Sequence, residues 1–253
     1  MNNKIFEFPH NYIDHIPQKE YDELSKYNDL LDAYSRMTYC SLYVVDYYKE
    51  GFLYVSDNPL FLCGNSADEV RMLGFDFYNR HVIPEDISLL VDATNAAFEF
   101  YQRLKTAEEK KNYVLSYDFH IQHSPGTPKK LINHQYTPLA FRPDGKVWLA
   151  LCLTSLSSHF DSGTVNMFHK ERKDFWRYDL ESKLWRIIPG IILKEEEKEV
   201  VRLSAQGYSI AEMADRMNKS FDTIKSYRKS LFRKLDVDNI SEAVSRAVTK
   251  RLI

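Results

Sequence analysis

The stretch SFDTIKSYRKSLFRKL, residues 220–235, decides the reading of this chain. On a helical wheel, Ile224, Tyr227, Leu231 and Leu235 fall on one stripe, at the spacing of a packed helix face. Asp222, Lys225, Ser226, Lys229 and Arg233 fall on the opposite face, and Thr223, Ser230 and Lys234 line one flank. One side is made to pack. The other presents cations at a spacing suited to a major groove walled by phosphates, which predicts a DNA-binding element. A cationic helix face is more often merely solvated, so the neighbouring sequence has to tip the balance.

Local charge supports DNA binding where the whole-chain value would mislead. The net charge is only -2 over 253 residues, no sign of a generic polyanion binder. Residues 194–253 hold 13 Lys+Arg and 10 Asp+Glu, a net of +3; the totals of 34 and 36 leave 21 minus 26, or -5, for residues 1–193. Between residues 216 and 234, seven cations stand with a single acid, Asp222. Basic charge is therefore concentrated on one element.

The flanks of that element have a definite order. Residues 193–207 read as a first helix with Val200, Val201 and Leu203 buried, Glu195, Glu196 and Glu197 in its first turn, and Gly207 at its end. Ser209 caps a second helix and Glu212 completes a capping box, with Ala211, Ala214 and Met217 as the expected inner face. Asn218 and Lys219 make the tight turn, and Ser220 caps the basic helix. Two short helices joined so briefly, the second basic, form a helix-turn-helix. A fourth helix places Ile240, Ala243, Val244, Ala247 and Val248 on one stripe, partly core and partly available for dimerisation.

These residues resemble a known family. LKEEEKEVVRLSAQGYS (193–209), IAEMA (210–214), SFDTIKSY (220–227) and FRKLDV (232–237) are similar to the LuxR-type helix-turn-helix domain over about residues 193–253. The resemblance places Glu197 at the family's buried-acid position and Thr223, Ile224 and Lys225 at its Thr-Val-Lys signature. It implies base-edge contacts from Lys225, Ser226 and Lys229, and backbone contacts from Thr223, Arg233 and Lys234. Glu196 stands where Arg is usual, and Tyr227 replaces a common His; neither lies on the basic face. Arg228, nearer the packing stripe, reads as a structural ion-pair partner rather than a base reader.

A chain of 253 residues accommodates about two domains. No apolar run reaches bilayer length, and residues 1–10 do not read as a signal peptide. Cys40, Cys63 and Cys152 are odd in number and lack metal-like spacing, so a cytoplasmic, reduced protein is expected, with no membrane partner. No metal site and no catalytic residue is assigned.

Residues 17–37 read as one amphipathic helix carrying Tyr21, Leu24, Tyr27, Leu31 and Tyr34. Residues 41–48 and 52–56 make a hairpin around Glu50 and Gly51, and helical segments between 58 and 104 are broken at Gly64, Gly74 and Pro84. Three strands follow, at 113–123, 131–141 and 146–156. The first alternates Leu115, Tyr117, Phe119 and Ile121 with Ser116, Asp118, His120 and Gln122. The last is apolar on both faces, as a central strand should be.

Two strands, helices, then three antiparallel strands is the order of a PAS domain, and YVSDNPLFLCGNSADEVRMLG (54–74) with Pro84, Glu85 and Asp86 resembles the PAS pattern. The resemblance implies a sensory or dimerising role and, in many members, a small-molecule pocket between helices and sheet. The residues leave the occupant open. Cys63 lacks the flanking signature of a flavin-binding relative and reads as a buried structural thiol. His81, His120, His123 and His134 bring haem to mind, but the polar strand position of His120 and the turn beside His123 favour solvated side chains. No cofactor is assigned.

Residues 165–170, 174–179 and 183–188 read as short strands, with Trp176, Tyr178 and Trp185 pairing across a hairpin before a hinge at Pro189 and Gly190. The expected class is α+β: an N-terminal helical segment (1–38), a PAS-like sensor with an antiparallel sheet (39–158), a small β extension (159–190) and an all-α four-helix domain (191–253). The expected function is a bacterial transcription regulator binding double-stranded DNA as a homodimer, with or without a small-molecule ligand in the PAS-like domain. A response regulator controlled by a partner or by phosphorylation is less favoured, because no early strand ends in paired acids. An enzyme with a DNA-binding tail would draw on Asp118 with His120, or Glu85 with Asp86, as acid–base pairs. No nucleophile or glycine-rich phosphate loop accompanies them.

Overall fold

A computed structural model describes residues 6–249 and 252–253. The chain divides into two compact units, Met1–Ile188 and Pro189–Ile253.

In the first unit, helices α1 (Gln18–Ser25) and α2 (Asn28–Arg36) precede the hairpin β1 (Ser41–Asp46) and β2 (Gly51–Val55). Then come α3 (Pro59–Leu62), α4 (Ala67–Leu73), α5 (Asp76–His81), the long α6 (Pro84–Gln102) and α7 (Ala107–Lys110). Strands β3 (Tyr113–Ile121), β4 (Lys130–Phe141), β5 (Val147–Leu156), β6 (Val165–His169), β7 (Phe175–Asp179) and β8 (Leu184–Ile188) complete it. All eight strands form one sheet in the order β2-β1-β5-β4-β3-β6-β7-β8, antiparallel at every pairing. Its first five strands follow the PAS connectivity, with β5 central and β1 beside it. The strands expected between 159 and 190 join the same sheet, β6 pairing along β3 from Val114↔Phe168 to Ser116↔Asn166.

Strand alternation sends successive side chains to opposite faces, and each face is covered differently. Tyr43, Val45, Leu115, Tyr117, Phe119 and Ile132 point into an aromatic-rich core shared with Phe61, Phe77, Leu90 and Phe98 from the helices. Leu42, Val44, Tyr54 and Leu149 point the other way, against Ile13, Ile16 and Tyr21, joined by Trp148 where the register between β4 and β5 shifts. The single helix expected over 17–37 is instead two, interrupted at Lys26 and Tyr27. The Tyr21 hydroxyl donates to Asp46 (2.6 Å), and the Tyr54 hydroxyl to Asp32 (2.7 Å), pinning the two segments at separate points of the β1–β2 surface. Tyr27 and Tyr34, expected on the packed stripe, are exposed.

The expectation of solvated histidines holds for His123, which is exposed, but not for the other three. The polar side of β3 is covered by the crossover from β5 to β6. Asp118, 1% exposed, accepts hydrogen bonds from Ser157 (2.7 Å) and Asn133 (3.0 Å), and its second oxygen lies 2.8 Å from His159 Nδ1. Asp86 at the start of α6 accepts from the His120 backbone N–H (2.7 Å) and Ser162 (2.7 Å), with His120 Nδ1 at 2.8 Å. The alternation was right, but a polar strand face is not always a wet one. His81 and His134 are buried as well.

His134 faces the core. Its ring stacks on Tyr117 (centroids 4.9 Å apart), and Nδ1 lies 3.3 Å from the Tyr43 hydroxyl. Nε2 has no hydrogen-bond partner among the described residues, and burial pushes its pKa down to about 3. The ring borders a cavity of about 30 Å³ lined also by Val45, Tyr47, Tyr78, Thr94 and Tyr117. That volume suits one water molecule, so a larger guest requires the aromatic walls to move.

The second unit comprises α8 (Glu195–Ala205), α9 (Ile210–Arg216), α10 (Phe221–Leu235) and α11 (Ile240–Thr249) around a small apolar core.

Candidate nucleic-acid interface

Each helix of the second unit is bounded by a specific chemical device. The Ser209 hydroxyl accepts from Glu212 N–H (3.3 Å), and the Glu212 carboxylate returns a bond to Ser209 N–H (2.8 Å), the expected capping box. Gly207, at φ +86°, lets the chain leave α8 with Tyr208 N–H on the Leu203 carbonyl (3.1 Å). Ser220 caps α10 by accepting from Thr223 N–H (3.1 Å). At the other end Arg246 donates to the carbonyls of Leu235 (2.8 Å) and Asp236 (2.6 Å), a cation at the negative pole of the basic helix.

The wheel of α10 is realised in three dimensions. Ile224, Leu231 and Leu235 are buried, and Tyr227 is half-buried against the same core. Lys225, Ser226, Lys229 and Arg233 are exposed on the far side; Thr223 is half-buried beside its cap. On α9 the inner face is Met213 and Ala214, with Met217 half-buried, whereas Ala211, expected inward, is exposed. A turn of 100° per residue brings 210, 213, 214 and 217 to one side and leaves 211 out.

Lys234, expected to contact phosphate, is half-buried and already engaged within the unit. Its ammonium lies 2.6 Å from Glu197 Oε2 and 3.0 Å from the Ile192 carbonyl. Glu197, 1% exposed, also accepts from Lys194 N–H (2.7 Å) and Ser230 Oγ (2.8 Å). Burial alone would raise this carboxyl's pKa; the bonds from Lys234, Lys194 and Ser230 outweigh it and hold the value below the usual range. The cluster ties α10 to the start of α8 and sets how the basic face is presented. The sequence carried a signal for it: Ser230 and Lys234 share one flank at a spacing of four. Arg228 has no ion pair among the described residues; its guanidinium lies over Phe232, 5.7 Å from the ring centre.

Sequence reasoning passed over Phe221. This first residue of α10 is 45% exposed, and the Lys225 ammonium sits 4.6 Å from its ring centre.

With this geometry in view, the comparisons are direct. The model of the luxR family of bacterial regulatory proteins matches residues 192–247. Residues 192–247 are a LuxR-family helix-turn-helix domain. The LuxR-type domain is also similar to the transcriptional regulatory protein RcsB of Escherichia coli K12 and of Salmonella typhimurium, 45% identical over 47 residues. That match covers 19% of this chain and 22% of the relatives' length, so the chain spans about a fifth of the curated relatives it matches. Looser similarity reaches a Vibrio cholerae VqmA structure, at 15% identity and TM-score 0.33, covering 94% of this chain and 89% of that one. A PAS domain from Colwellia psychrerythraea is similar at 13% identity and TM-score 0.37, over 54% of this chain and 98% of that one.

Proposed function

We propose that the chain is a bacterial transcription regulator acting in the cytoplasm, whose LuxR-type domain binds double-stranded DNA with α10 in the major groove. One observation carries the reading: Lys225, Ser226, Lys229 and Arg233 stand exposed on the side of α10 opposite Ile224, Leu231 and Leu235. In this reading Lys225, Ser226 and Lys229 meet base edges, while Thr223 and Arg233 meet phosphates. Lys234 acts by holding the helix rather than by touching DNA. Two copies bind as a homodimer, because a helix-turn-helix reads two half-sites about one helical turn apart.

The PAS-like unit is proposed to supply the signal, through a small molecule or a protein partner that shifts the dimer between arrangements of different operator affinity. A catalytic role for Asp118 and His120 fits poorly, since each is engaged elsewhere, Asp118 with His159 and His120 with Asp86. The test of the reading is a titration of selected duplex with the full chain, varying salt. Affinity should fall steeply with salt, and Lys225→Ala should weaken specific binding by roughly 1–3 kcal/mol. Unchanged affinity in Lys225→Ala and Lys229→Ala would remove α10 from the groove.

A further inference from the structure

We propose that Phe221 is a specificity-determining residue that reads a thymine 5-methyl group, with Lys225 reading an acceptor edge on the same or the neighbouring base pair. The inference rests on the DNA-binding reading above and goes beyond it by naming the base chemistry.

Three observations converge. First, Phe221 opens α10, and the leading residues of a recognition helix are those that meet base edges in the groove. Second, nearly half of this ring stays in water although an apolar core lies on the same helix, and it is absent from that core. Single exposed apolar residues are common on protein surfaces, and this one is set apart by its place at the leading end of the basic helix, beside Lys225. In the major groove the thymine methyl is the apolar feature, and Phe is among the side chains that contact it. Third, Lys225 lies one turn on, its ammonium over the Phe221 ring. The ring thus restricts the lysine before DNA arrives and delivers a cation beside an apolar surface. Paired in this way, the two side chains suit a guanine O6/N7 edge next to a methyl. The alternative occupant of an exposed ring, another protein surface, is separated by the test.

The experiment begins with selection of duplexes of about 20 base pairs from a random pool by the full chain, long enough for two half-sites. In the enriched site each thymine is then replaced singly by deoxyuridine, which lacks only the methyl. One position per half-site should weaken wild-type binding roughly three- to tenfold, the scale of one buried methyl with its neighbours. The same replacement should leave Phe221→Ala unaffected, and Phe221→Leu should keep part of the effect. Affinity for unselected duplex and the helical circular dichroism should match wild type in both variants. If no thymine replacement separates wild type from Phe221→Ala, or if that variant loses all duplexes equally, the proposal falls while DNA binding stands. A pool that yields no enrichment takes both down.

Discussion

The two units of this chain reach a defined structure by opposite means. The unit Met1–Ile188 is built from pairings distant in sequence: β1 lies against β5, and β6 against β3, across large loops. Its buried polar groups come from segments far apart, such as Asp86 with Ser162. The unit Pro189–Ile253 is built from local pieces: α8, α9 and α10 have Lys194, Ser209 and Ser220 as their N-caps, and each is followed by a residue at positive φ, Gly207, Asn218 or Asp236, while Asn239, ahead of α11, accepts from Glu242 N–H. One buried ion cluster at Glu197 supplies its long-range polar tie. The comparison teaches that the first unit keeps one imidazole, His134, neutral inside an aromatic core, whereas the second keeps a carboxylate, Glu197, ionised against Lys234.

Acid breaks this comparison open with the largest expected effect. Neutral His134 is favoured by burial, so its stabilising contribution is complete above the ordinary value of 6.5 and is lost as pH falls towards about 3. At 1.36 kcal/mol per pH unit, that gap amounts to roughly 4 to 5 kcal/mol at pH 3. Glu197 loses its contribution only as pH drops below the ordinary carboxyl value of 4.5, through its lowered folded value. All three tryptophans, Trp148, Trp176 and Trp185, lie in the first unit, so their fluorescence reports it alone. Urea melts at pH 7 and pH 5 should show the tryptophan transition, and the helical signal lost with it, moving well before the remaining helical signal, which belongs to the second unit; a shift of the whole helical signal together would mean the two units do not differ in this way.

Glu197→Gln sharpens the comparison from the other side. It removes the charge facing Lys234 and should cost about 2–4 kcal/mol, seen as an earlier loss of part of the helical signal while the tryptophan transition stays in place. Next in size is Lys225→Ala, expected to cost roughly 1–3 kcal/mol in operator binding while changing stability by less than about 0.5 kcal/mol. Smallest is Ser220→Ala, which takes away the cap of α10 and should cost about 1 kcal/mol of stability in the second unit. An equal loss in both melts would show that the units unfold as one.

The second unit was the more legible in sequence, because caps, turns and a 3.6-residue period are local signals. Ser209 with Glu212, and the stripe through Ile224, Leu231 and Leu235, could be read without knowing what they pack against. Ala211 was misplaced because α9 is only seven residues long, too short for composition alone to fix its rotation. In the first unit the strands and their alternation were readable, since period two is also local. What covered the polar side of β3 was not: His159 and Ser162 lie about 40 and 76 positions from the carboxylates they meet. The break at Lys26 escaped because the apolar spacing from Tyr21 through Leu24, Tyr27 and Leu31 to Tyr34 runs across it uninterrupted. Phe221 was passed over because a lone aromatic beside a basic face carries no periodic signal.

The contacts of His159 and Ser162 bear on where this polypeptide can be cut in two. A fragment ending at residue 158 would complete the five-stranded pattern, yet it would strip β6 from its neighbour and take one partner from each of two interior acids, His159 from Asp118 and Ser162 from Asp86. Severed after Ile188, the same region keeps both of those partners.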